Sequence, residues 1–194
     1  MSAHSAAASE PRPVALVTGA SGGIGGAIVR DLARTHRVVA VGRDARALAR
    51  LTAETEAEAR IVELTDADAI AALASRFERL DVLVHAAAIA DVRSVEQASA
   101  DDWDRQLRIN VVSPALLTRA LLPLLRQSEG TVVFIGSGSG TRPTAGSAIY
   151  TASKFALRAV ADVLRLDEAA HRMRVVTVAP GPTDTAMQRR MVAD

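Results

Sequence analysis

Residues 18–25 constrain the fold most, because they place four glycines between an apolar run and a segment of helical periodicity. The apolar run, residues 14–17, is typical of a strand buried on both faces of a parallel sheet. A second apolar run, residues 38–41, follows at the distance that a strand–helix–strand unit requires. Glycines in such a turn let the backbone approach a pyrophosphate, whose charge the free N–H groups of the helix stabilise. The pattern predicts a dinucleotide-binding unit, with a purely structural turn as the alternative.

The rest of the chain alternates in the same way. Predicted strands cover residues 59–64, 81–86, 131–135 and 174–178. The first of the predicted helices covers residues 45–55, and the next is capped by Thr65 or Asp66 and ends near Phe77. A long helix then begins at a cap formed by Ser99 with Asp102. The last runs from near Ser147 to about His171. This alternation predicts an α/β fold with a Rossmann-like doubly wound parallel sheet, six recognisable strands and helices on both faces.

Length and composition set the organisation. A chain of 194 residues suits one domain, which we place at residues 14–194. Residues 1–13, rich in Ala, Ser and Pro, are interpreted as a mobile tail without the features of a signal peptide. No segment reaches the roughly 18 uninterrupted apolar residues of a membrane span. We therefore expect no membrane partner and a cytoplasmic location.

Charge and cysteine content exclude several classes of function. The net charge is +1 and arginines are scattered among acidic residues, a pattern that gives no support to nucleic-acid binding. The absence of cysteine excludes disulfides and thiol catalysis, and four scattered histidines leave no metal-ligand cluster.

One helical segment carries both the only tyrosine and the only lysine of the chain, Tyr150 and Lys154. Residues at i and i+4 of a helix lie about 5–6 Å apart on one face. A neighbouring cation lowers the pKa of a phenol, so the pair is a candidate acid/base unit. A half-buried Tyr beside a surface Lys is the alternative.

The end of the second strand bears on the cofactor. Gly42 stands there with Arg43 next to it, and a guanidinium at this place binds the 2′-phosphate of NADP, whereas a carboxylate would bind the ribose of NAD. The sequence therefore favours NADP(H), with NAD(H) possible. The alternative is a solvated Arg43 at the start of a helix capped by Asp44.

The long helix contains a polar residue and a proline. Its predicted apolar stripe consists of Trp103, Leu107, Val111, Leu117, Leu121 and Leu124. Pro114 has no N–H, so it leaves the carbonyl of Asn110 without its helical partner. In the functional interpretation, that carbonyl holds a water of a hydrogen-bond network. In the alternative, it belongs to an ordinary proline kink.

Several single residues have two interpretations. Ser137 follows a predicted central strand, where open α/β sheets place ligands, but it also lies in a Gly/Ser loop. His85 is interpreted as a hydrogen-bonded core residue rather than a ligand contact. Trp103 is assigned to the core, and Arg189 and Arg190 to a solvated helix face, with a substrate carboxylate or phosphate contact as the minor alternative.

Taken together, these motifs resemble the classical short-chain dehydrogenase/reductase family over about residues 14–185. The resemblance is carried by Thr18-Gly19-x3-Gly23-Ile24-Gly25, Asn110-Val111, Ser137, Tyr150-x3-Lys154 and Pro180-Gly181. It implies that Tyr150 exchanges a proton with a carbonyl or alcohol substrate and that Ser137 holds the substrate oxygen. It also implies that Lys154 binds the nicotinamide ribose and lowers the pKa of Tyr150, and that Asn110 keeps a water of a proton relay. The implied cofactor contacts are Gly19, Ser21, Gly23, Ile24, Gly25, Arg43, Leu64, Ala86, Ala87, Tyr150, Lys154, Pro180, Gly181, Thr183 and Thr185.

The chain departs from the family pattern at three places. The family's Asn-Asn-Ala-Gly appears as His85-Ala86-Ala87-Ala88, which removes an amide and a glycine near the cofactor. Glu63 stands where an Asp usually helps to hold adenine. Residues 187–194 contain neither the family's substrate-covering helix nor its seventh strand, which predicts an open pocket and an exposed sheet edge at the sixth strand.

The leading hypothesis is an NADP(H)-dependent carbonyl reductase or alcohol dehydrogenase that acts on a small or medium-sized, partly apolar substrate. The alternatives are an NADP(H)-binding sensor or scaffold without turnover, and a structural dimerisation domain. The two long helices, with small residues such as Ala152, Ala156 and Ala159, predict a homodimer.

Overall fold

The computed structural model describes residues 12–193. They form six strands, β1 (Val14–Thr18), β2 (Arg37–Gly42), β3 (Glu58–Ile61), β4 (Val82–His85), β5 (Thr131–Ile135) and β6 (Arg174–Val178). The strands are all parallel and lie in the order β3-β2-β1-β4-β5-β6. This confirms the predicted doubly wound sheet. The predicted tail falls on residues 1–13, of which 1–11 lie outside the described residues.

The described chain contains seven α-helices, of which the last follows the last strand. They are α1 (Gly23–Leu32), α2 (Ala45–Thr55), α3 (Ala67–Ala74), α4 (Ala100–Leu107), α5 (Ser113–Gln127), α6 (Ala148–Asp167) and α7 (Ala186–Ala193). A π-helical turn, Arg108–Val112, joins α4 to α5, and short 3-10 turns lie at Gly138–Gly140 and Ala169–His171.

Two apolar clusters cover the two faces of the sheet. Alternate residues of β1 and β2 point to opposite faces, so Leu16 and Val39 pack with α3, α5 and α6, whereas Val17 and Ala40 pack with α1 and α2. β1 is buried along its whole length, as expected of a central strand in a sheet covered on both sides. On β6, Val176 and Val178 remain more than 40% exposed.

The predicted strands β3 and β4 are each too long. Residues 62–64 leave the β3 ladder because Glu63 accepts hydrogen bonds from the N–H and hydroxyl of Thr65, which turns the chain. At the start of β4, Asp81 bonds to Val14 through both its backbone N–H and its carboxylate. At the end of β4, the Ala86 N–H donates to the Thr18 hydroxyl. In both strands, the residues beyond the carboxyl end turn towards one edge of the sheet.

The predicted long helix is interrupted rather than continuous. Ser99 and Asp102 form the expected capping box at its start. In the π turn, the Ser113 N–H donates to the Arg108 carbonyl, one residue beyond the α-helical partner. This changes the buried face, so the predicted apolar stripe is wrong in part. Trp103, Leu107, Val111 and Leu124 are only half-buried, and the fully enclosed residues are Gln106, Ile109, Asn110, Ser113, Pro114, Leu117, Thr118, Leu121 and Leu125.

Residues 100–127 are long and apolar enough to match a membrane span by length and composition alone. Their buried face, however, packs into the protein core, where Leu117, Leu121 and Leu125 are less than 2% exposed. Within the described part of the chain this is the one segment that meets that criterion.

Candidate active site

A cleft of about 930 Å³ lies at the carboxyl ends of the strands. Segments that follow each of the six strands contribute to its wall. The cleft spans the point where the strand order reverses between β1 and β4, which is where open α/β sheets bind ligands. Every residue predicted to contact cofactor or substrate lines this cleft except Asn110, which lies behind the wall.

The glycine loop after β1 is shaped by close backbone contacts. Gly19 has φ +68°, and a Cβ built on it would come within 2.6 Å of the Ala86 carbonyl and the Ala87 nitrogen. A Cβ on Gly25 would overlap the Gly19 carbonyl. α1 then begins after Gly22 without a side-chain cap or an acidic residue in its first turn. The loop therefore presents helix N–H groups to an anion, as the sequence predicted.

Thr18, the first residue of the glycine-loop motif, holds the segment opposite that loop, a role that the sequence did not indicate. Its hydroxyl accepts hydrogen bonds from the N–H groups of Ala86 (3.2 Å) and Ala87 (3.3 Å) and donates to the Val84 carbonyl (3.3 Å). The side chain is fully buried. Thr18 thus fixes the backbone of the alanine segment where the family pattern has an amide and a glycine.

His85 is a core residue, as predicted. Its Nε2 lies 2.8 Å from the Thr118 hydroxyl, and its ring stacks on Phe134 with centroids 4.9 Å apart. Complete burial lowers the pKa of His85 to about 3. The ring is therefore neutral at physiological pH and ties β4 to α5.

Charged side chains border the cleft at the end of β2 and β3. The Arg43 guanidinium, which is two-thirds exposed, lies 3.8 Å from the Glu63 carboxylate. Hydrogen bonds from the Thr65 N–H and hydroxyl, together with Arg43, keep the pKa of Glu63 below its usual value. A Cβ on Gly42 would come 2.8 Å from the Ser21 hydroxyl, so glycine there lets Ser21 pack against β2. This corner combines a guanidinium and a hydroxyl, two donors suited to a phosphate.

Three of the four residues predicted for catalysis come together on the opposite side of β1, and the fourth, Asn110, lies behind the wall. Ser137 follows β5 and its hydroxyl accepts from the Ser139 N–H at 3.2 Å. Tyr150 lies in the first turn of α6, with its hydroxyl near the Ser137 side chain. The Lys154 ammonium donates to the Ile135 carbonyl at 3.0 Å and lies 5.7 Å from the centre of the Tyr150 ring. Both Tyr150 and Lys154 are buried.

Burial sets the protonation of this pair. It raises the pKa of Tyr150 above its ordinary value, and the hydrogen bond with Ser137 opposes that rise only in part. The expected lowering of the Tyr150 pKa by Lys154 is therefore not what the structure shows. Burial also lowers the pKa of Lys154 to about 8. The phenol is thus a protonated hydroxyl at neutral pH, which is the form that a general acid requires.

The Lys154 pKa leads to a prediction about stability. The pKa of the buried Lys154 ammonium is about 8, whereas that of an unfolded lysine is near 10.5. Between these pH values the unfolded chain therefore binds more protons than the folded chain. The contribution of Lys154 to the free energy of unfolding rises with pH across that window. The free energy of unfolding of the wild type should rise between pH 8 and 10.5 relative to Lys154→Met, by about 1–3 kcal/mol. Urea unfolding of both proteins across this range measures the difference. A constant difference would contradict the assigned pKa.

Asn110 lies behind the cleft wall. Its side-chain oxygen accepts from the Ile89 N–H, and its Nδ2 donates to the Ile89 carbonyl and to the Ser153 hydroxyl, all at 2.9–3.0 Å. Gln106, fully buried one turn earlier, also donates to the Ile89 carbonyl. Asn110 therefore links the segment after β4 to the residue preceding Lys154. Sequence reasoning identified Asn110 but not these partners.

The segment after β6 closes the cleft over the glycine loop. A Cβ on Gly23 would meet the Thr185 methyl group at 2.6 Å, and the Thr185 hydroxyl accepts from the Gln188 N–H at the start of α7. Arg189 forms an ion pair with Asp184. Arg190 is exposed on its helix, as predicted, and it also lines the cleft, which keeps the alternative of a substrate contact open. Other lining residues that sequence reasoning missed are Ile109, Thr141, Arg142, Thr144, Met187 and Met191.

Comparison with known proteins gives a consistent pattern. A family model for short chain dehydrogenases matches residues 13–194. An uncharacterized oxidoreductase from Staphylococcus epidermidis is 31% identical over 90% of this chain and 79% of its own length. An NADP-dependent 3-hydroxy acid dehydrogenase from Shigella flexneri is 32% identical over 87% of this chain and 71% of its own length. The crystal structure of a metagenomic short-chain oxidoreductase in complex with NADP is 36% identical and superposes with a TM-score of 0.83 over 87% of this chain and 82% of that one.

Proposed function

The chain belongs to the short chain dehydrogenase family, and from that premise we propose that it is an NADP(H)-dependent oxidoreductase that interconverts a carbonyl compound and its alcohol. The observation that carries the proposal is the convergence of Ser137, Tyr150 and Lys154 in the cleft that also contains the glycine loop. A protein that only binds a nucleotide has no need of a buried tyrosine and a buried lysine next to a serine in its cleft. The proposed substrate is a small or medium-sized, partly apolar carbonyl compound or alcohol.

The residues present fit NADP(H). Glycine at positions 19 and 25 leaves backbone where a Cβ would clash, which permits a pyrophosphate to approach α1, and Arg43 with Ser21 offers donors for a 2′-phosphate. Leu64, Ala86 and Ala87 would lie along the adenosine, and Pro180, Gly181, Thr183 and Thr185 along the nicotinamide. A related structure of the family holds NADP. When bound, NADP(H) supplies or accepts the hydride at nicotinamide C4.

Tyr150 manages the proton that accompanies the hydride. In the reductive direction, its hydroxyl gives a proton to the oxygen of the substrate as the carbonyl becomes an alcohol, and in the reverse direction its phenolate takes that proton. Ser137, within hydrogen-bond reach of Tyr150, orients the same oxygen. Lys154 supplies a positive charge that stabilises the transient phenolate. A ligand that displaces the Ile135 carbonyl from Lys154 would direct this charge into the cleft.

Proton supply to Lys154 is proposed to run through the Asn110 region. Pro114 has no N–H to pair with the Asn110 carbonyl, and the Asn110 side chain is fixed on Ser153 and Ile89. A water held by this carbonyl would connect Lys154 to solvent. Asn110 is thus a positioning residue rather than one that touches the substrate.

The proposed function is tested by NADPH oxidation against a panel of ketones, aldehydes and quinones. We expect a rate above the protein-free background for at least one member, with one NADP⁺ formed for each alcohol. Tight NADPH binding without oxidation by any member would overturn the proposal and favour a sensor or scaffold.

Arg43→Ala should impair the use of NADPH much more than that of NADH. Loss of a charged contact to a 2′-phosphate removes about 1.5–3 kcal/mol of binding, so the KM for NADPH should rise about tenfold or more while that for NADH changes little. Steady-state kinetics with both cofactors measures the effect. Arg46→Ala, on the exposed side of the same helix start, is the matched control. Equal effects of Arg43→Ala on both cofactors would remove Arg43 from this role.

A homodimer and a cytoplasmic location are proposed together with this function. Phe155, Val163 and Leu166 of α6 are 42–77% exposed, and Ala152, Ala156 and Ala159 on the same helix would allow a close approach of a second copy. Half-buried Trp103 adds apolar surface on α4. Light scattering at micromolar concentration should give the mass of two chains, and the mass of one chain would contradict the dimer.

A further inference from the structure

We propose that the substrate carries a carboxylate or a similar acidic group, which binds between the guanidinium groups of Arg142 and Arg190 while the carbonyl lies at Ser137 and Tyr150. This inference rests on the proposed oxidoreductase function and adds the chemical class of its substrate. It identifies the substrates as oxo acids or the matching hydroxy acids.

The sheet order places both arginines on the substrate side of the cleft. Arg142 lies five residues after Ser137, in the segment that follows β5, and Arg190 lies in α7 after β6. β5 and β6 form one end of the sheet. Arg43, the other guanidinium that lines the cleft, follows β2 on the far side of β1. The 2′-phosphate of the cofactor and the proposed acidic group are therefore assigned to opposite ends of the cleft.

Neither guanidinium stabilises the fold through a bond to another side chain or to the backbone of the described chain. Among residues 12–193, the side chains of Arg142 and Arg190 have no hydrogen-bond or ion-pair partner, although both line the cleft. The neighbouring Arg189, by contrast, is paired with Asp184, and Arg43 lies near Glu63. Two arginines that line one cavity and have no partner in the described chain are available to an anionic ligand, and Arg binds a carboxylate through two parallel hydrogen bonds.

The carboxylates of the cleft lie elsewhere and are already engaged. Asp44 and Glu63, the acidic residues of the described lining, both follow strands of the β2–β3 end. Asp44 caps α2 by accepting from the Ala47 N–H at 3.0 Å, and Glu63 accepts from Thr65. The half of the cleft around Tyr150 thus combines Arg142, Arg190 and Lys154 without a lining carboxylate in the described chain. Such a one-sided charge distribution attracts anions and raises their local concentration.

α7 also indicates what the rest of the substrate is like. Met187, Arg190 and Met191 line the cleft at i, i+3 and i+4 spacing, which places them on one helix face. Methionine is flexible and adapts to varied apolar shapes. A ligand with an apolar body and one acidic end would satisfy both kinds of side chain.

The test compares 2-, 3-, 4- and 5-oxo acids with their methyl esters as substrates of the intact chain with NADPH. We expect kcat/KM for at least one acid to exceed that for its ester by tenfold or more at low salt, and this preference to shrink as salt is added. Arg142→Gln and Arg190→Gln should each reduce the acid-to-ester ratio by about five- to tenfold, which corresponds to one charged hydrogen bond. Arg189→Gln, adjacent but paired with Asp184 and outside the lining, should keep the wild-type ratio.

The outcomes are distinguishable. Esters reduced as well as their acids, or ratios unchanged in both variants, would overturn the acidic-substrate inference while the oxidoreductase function stands. A rise in the KM for NADPH without a change in the ratio would assign the two arginines to the cofactor and also overturn it. Failure of every acid and every ester to oxidise NADPH would refute the oxidoreductase function, and with it the inference.

Discussion

Tyr150→Phe lowers kcat for carbonyl reduction by about 10²–10⁴-fold, the usual contribution of a general acid, and this loss is much larger than any loss of NADPH affinity from the missing hydroxyl. The substitution keeps the buried ring and removes only the hydroxyl that hydrogen bonds with Ser137. Because burial raises the pKa of Tyr150, the wild-type phenol is protonated at neutral pH, and water has no comparable access to replace it. Steady-state rates on the best carbonyl substrate, together with a fluorescence titration of NADPH, separate the two effects.

Thr151→Val is the matched control for this variant. It also removes one hydroxyl from the same turn of α6, but the Thr151 hydroxyl is buried and makes no hydrogen bond in the structure. We therefore expect kcat to stay within about twofold of the wild type. Equal rates for the wild type and Tyr150→Phe on every active substrate would remove Tyr150 from the mechanism.

Gly19→Ala should abolish measurable NADPH binding and destabilise the fold. The new Cβ meets the backbone of Ala86 and Ala87 at 2.6 Å, and it also forces an alanine into φ +68°. The neighbouring segment cannot simply move, because Thr18 holds the N–H groups of both alanines. The loop must therefore open, at a cost of about 2–4 kcal/mol in the free energy of unfolding, and the affinity for NADPH should fall at least 100-fold. Thermal unfolding and a binding titration measure the two losses.

Gly146→Ala separates strain from steric overlap. Gly146 also has a positive φ, +75°, but a Cβ there has no atom within 4 Å. Its substitution should cost about 1 kcal/mol of stability and have little effect on NADPH binding. Equal effects of Gly19→Ala and Gly146→Ala on stability and on NADPH binding would contradict the idea that close packing against Ala86 and Ala87 requires glycine at position 19.

Elements with a strong local signal could be predicted from sequence. The glycine loop, the apolar strands and the helix from Ala45 to Thr55 have patterns that local sterics and periodicity determine, and they lie where expected. The ends of β3 and β4 could not be predicted in the same way. Glu63 turns back on Thr65, and Asp81 bonds to β1, 67 residues away. Side-chain partners of this kind leave no periodic signal in the sequence.

The π turn between α4 and α5 shows a second limit. Pro114 indicated a break in the helical hydrogen bonding, but the sequence did not show that the extra residue would enter before it, at Arg108–Val112. That insertion rotates the buried face and brings Asn110 and Gln106 onto Ile89. The direction of the Tyr150 pKa shift was hidden for a related reason, since the spacing to Lys154 is local whereas burial depends on the whole cleft.

Transfer of deuterium from NADPH labelled at nicotinamide C4 tests the central claim most directly. Mass spectrometry of the alcohol product reports whether hydride reaches the substrate carbon. For the labelled face of the nicotinamide that the enzyme uses, we expect one deuterium on the carbon that bore the carbonyl oxygen, transferred about 10²–10⁴-fold more slowly by Tyr150→Phe than by the wild type. NADPH bound to the wild-type protein with no deuterium in any product, from either labelled face, would contradict it.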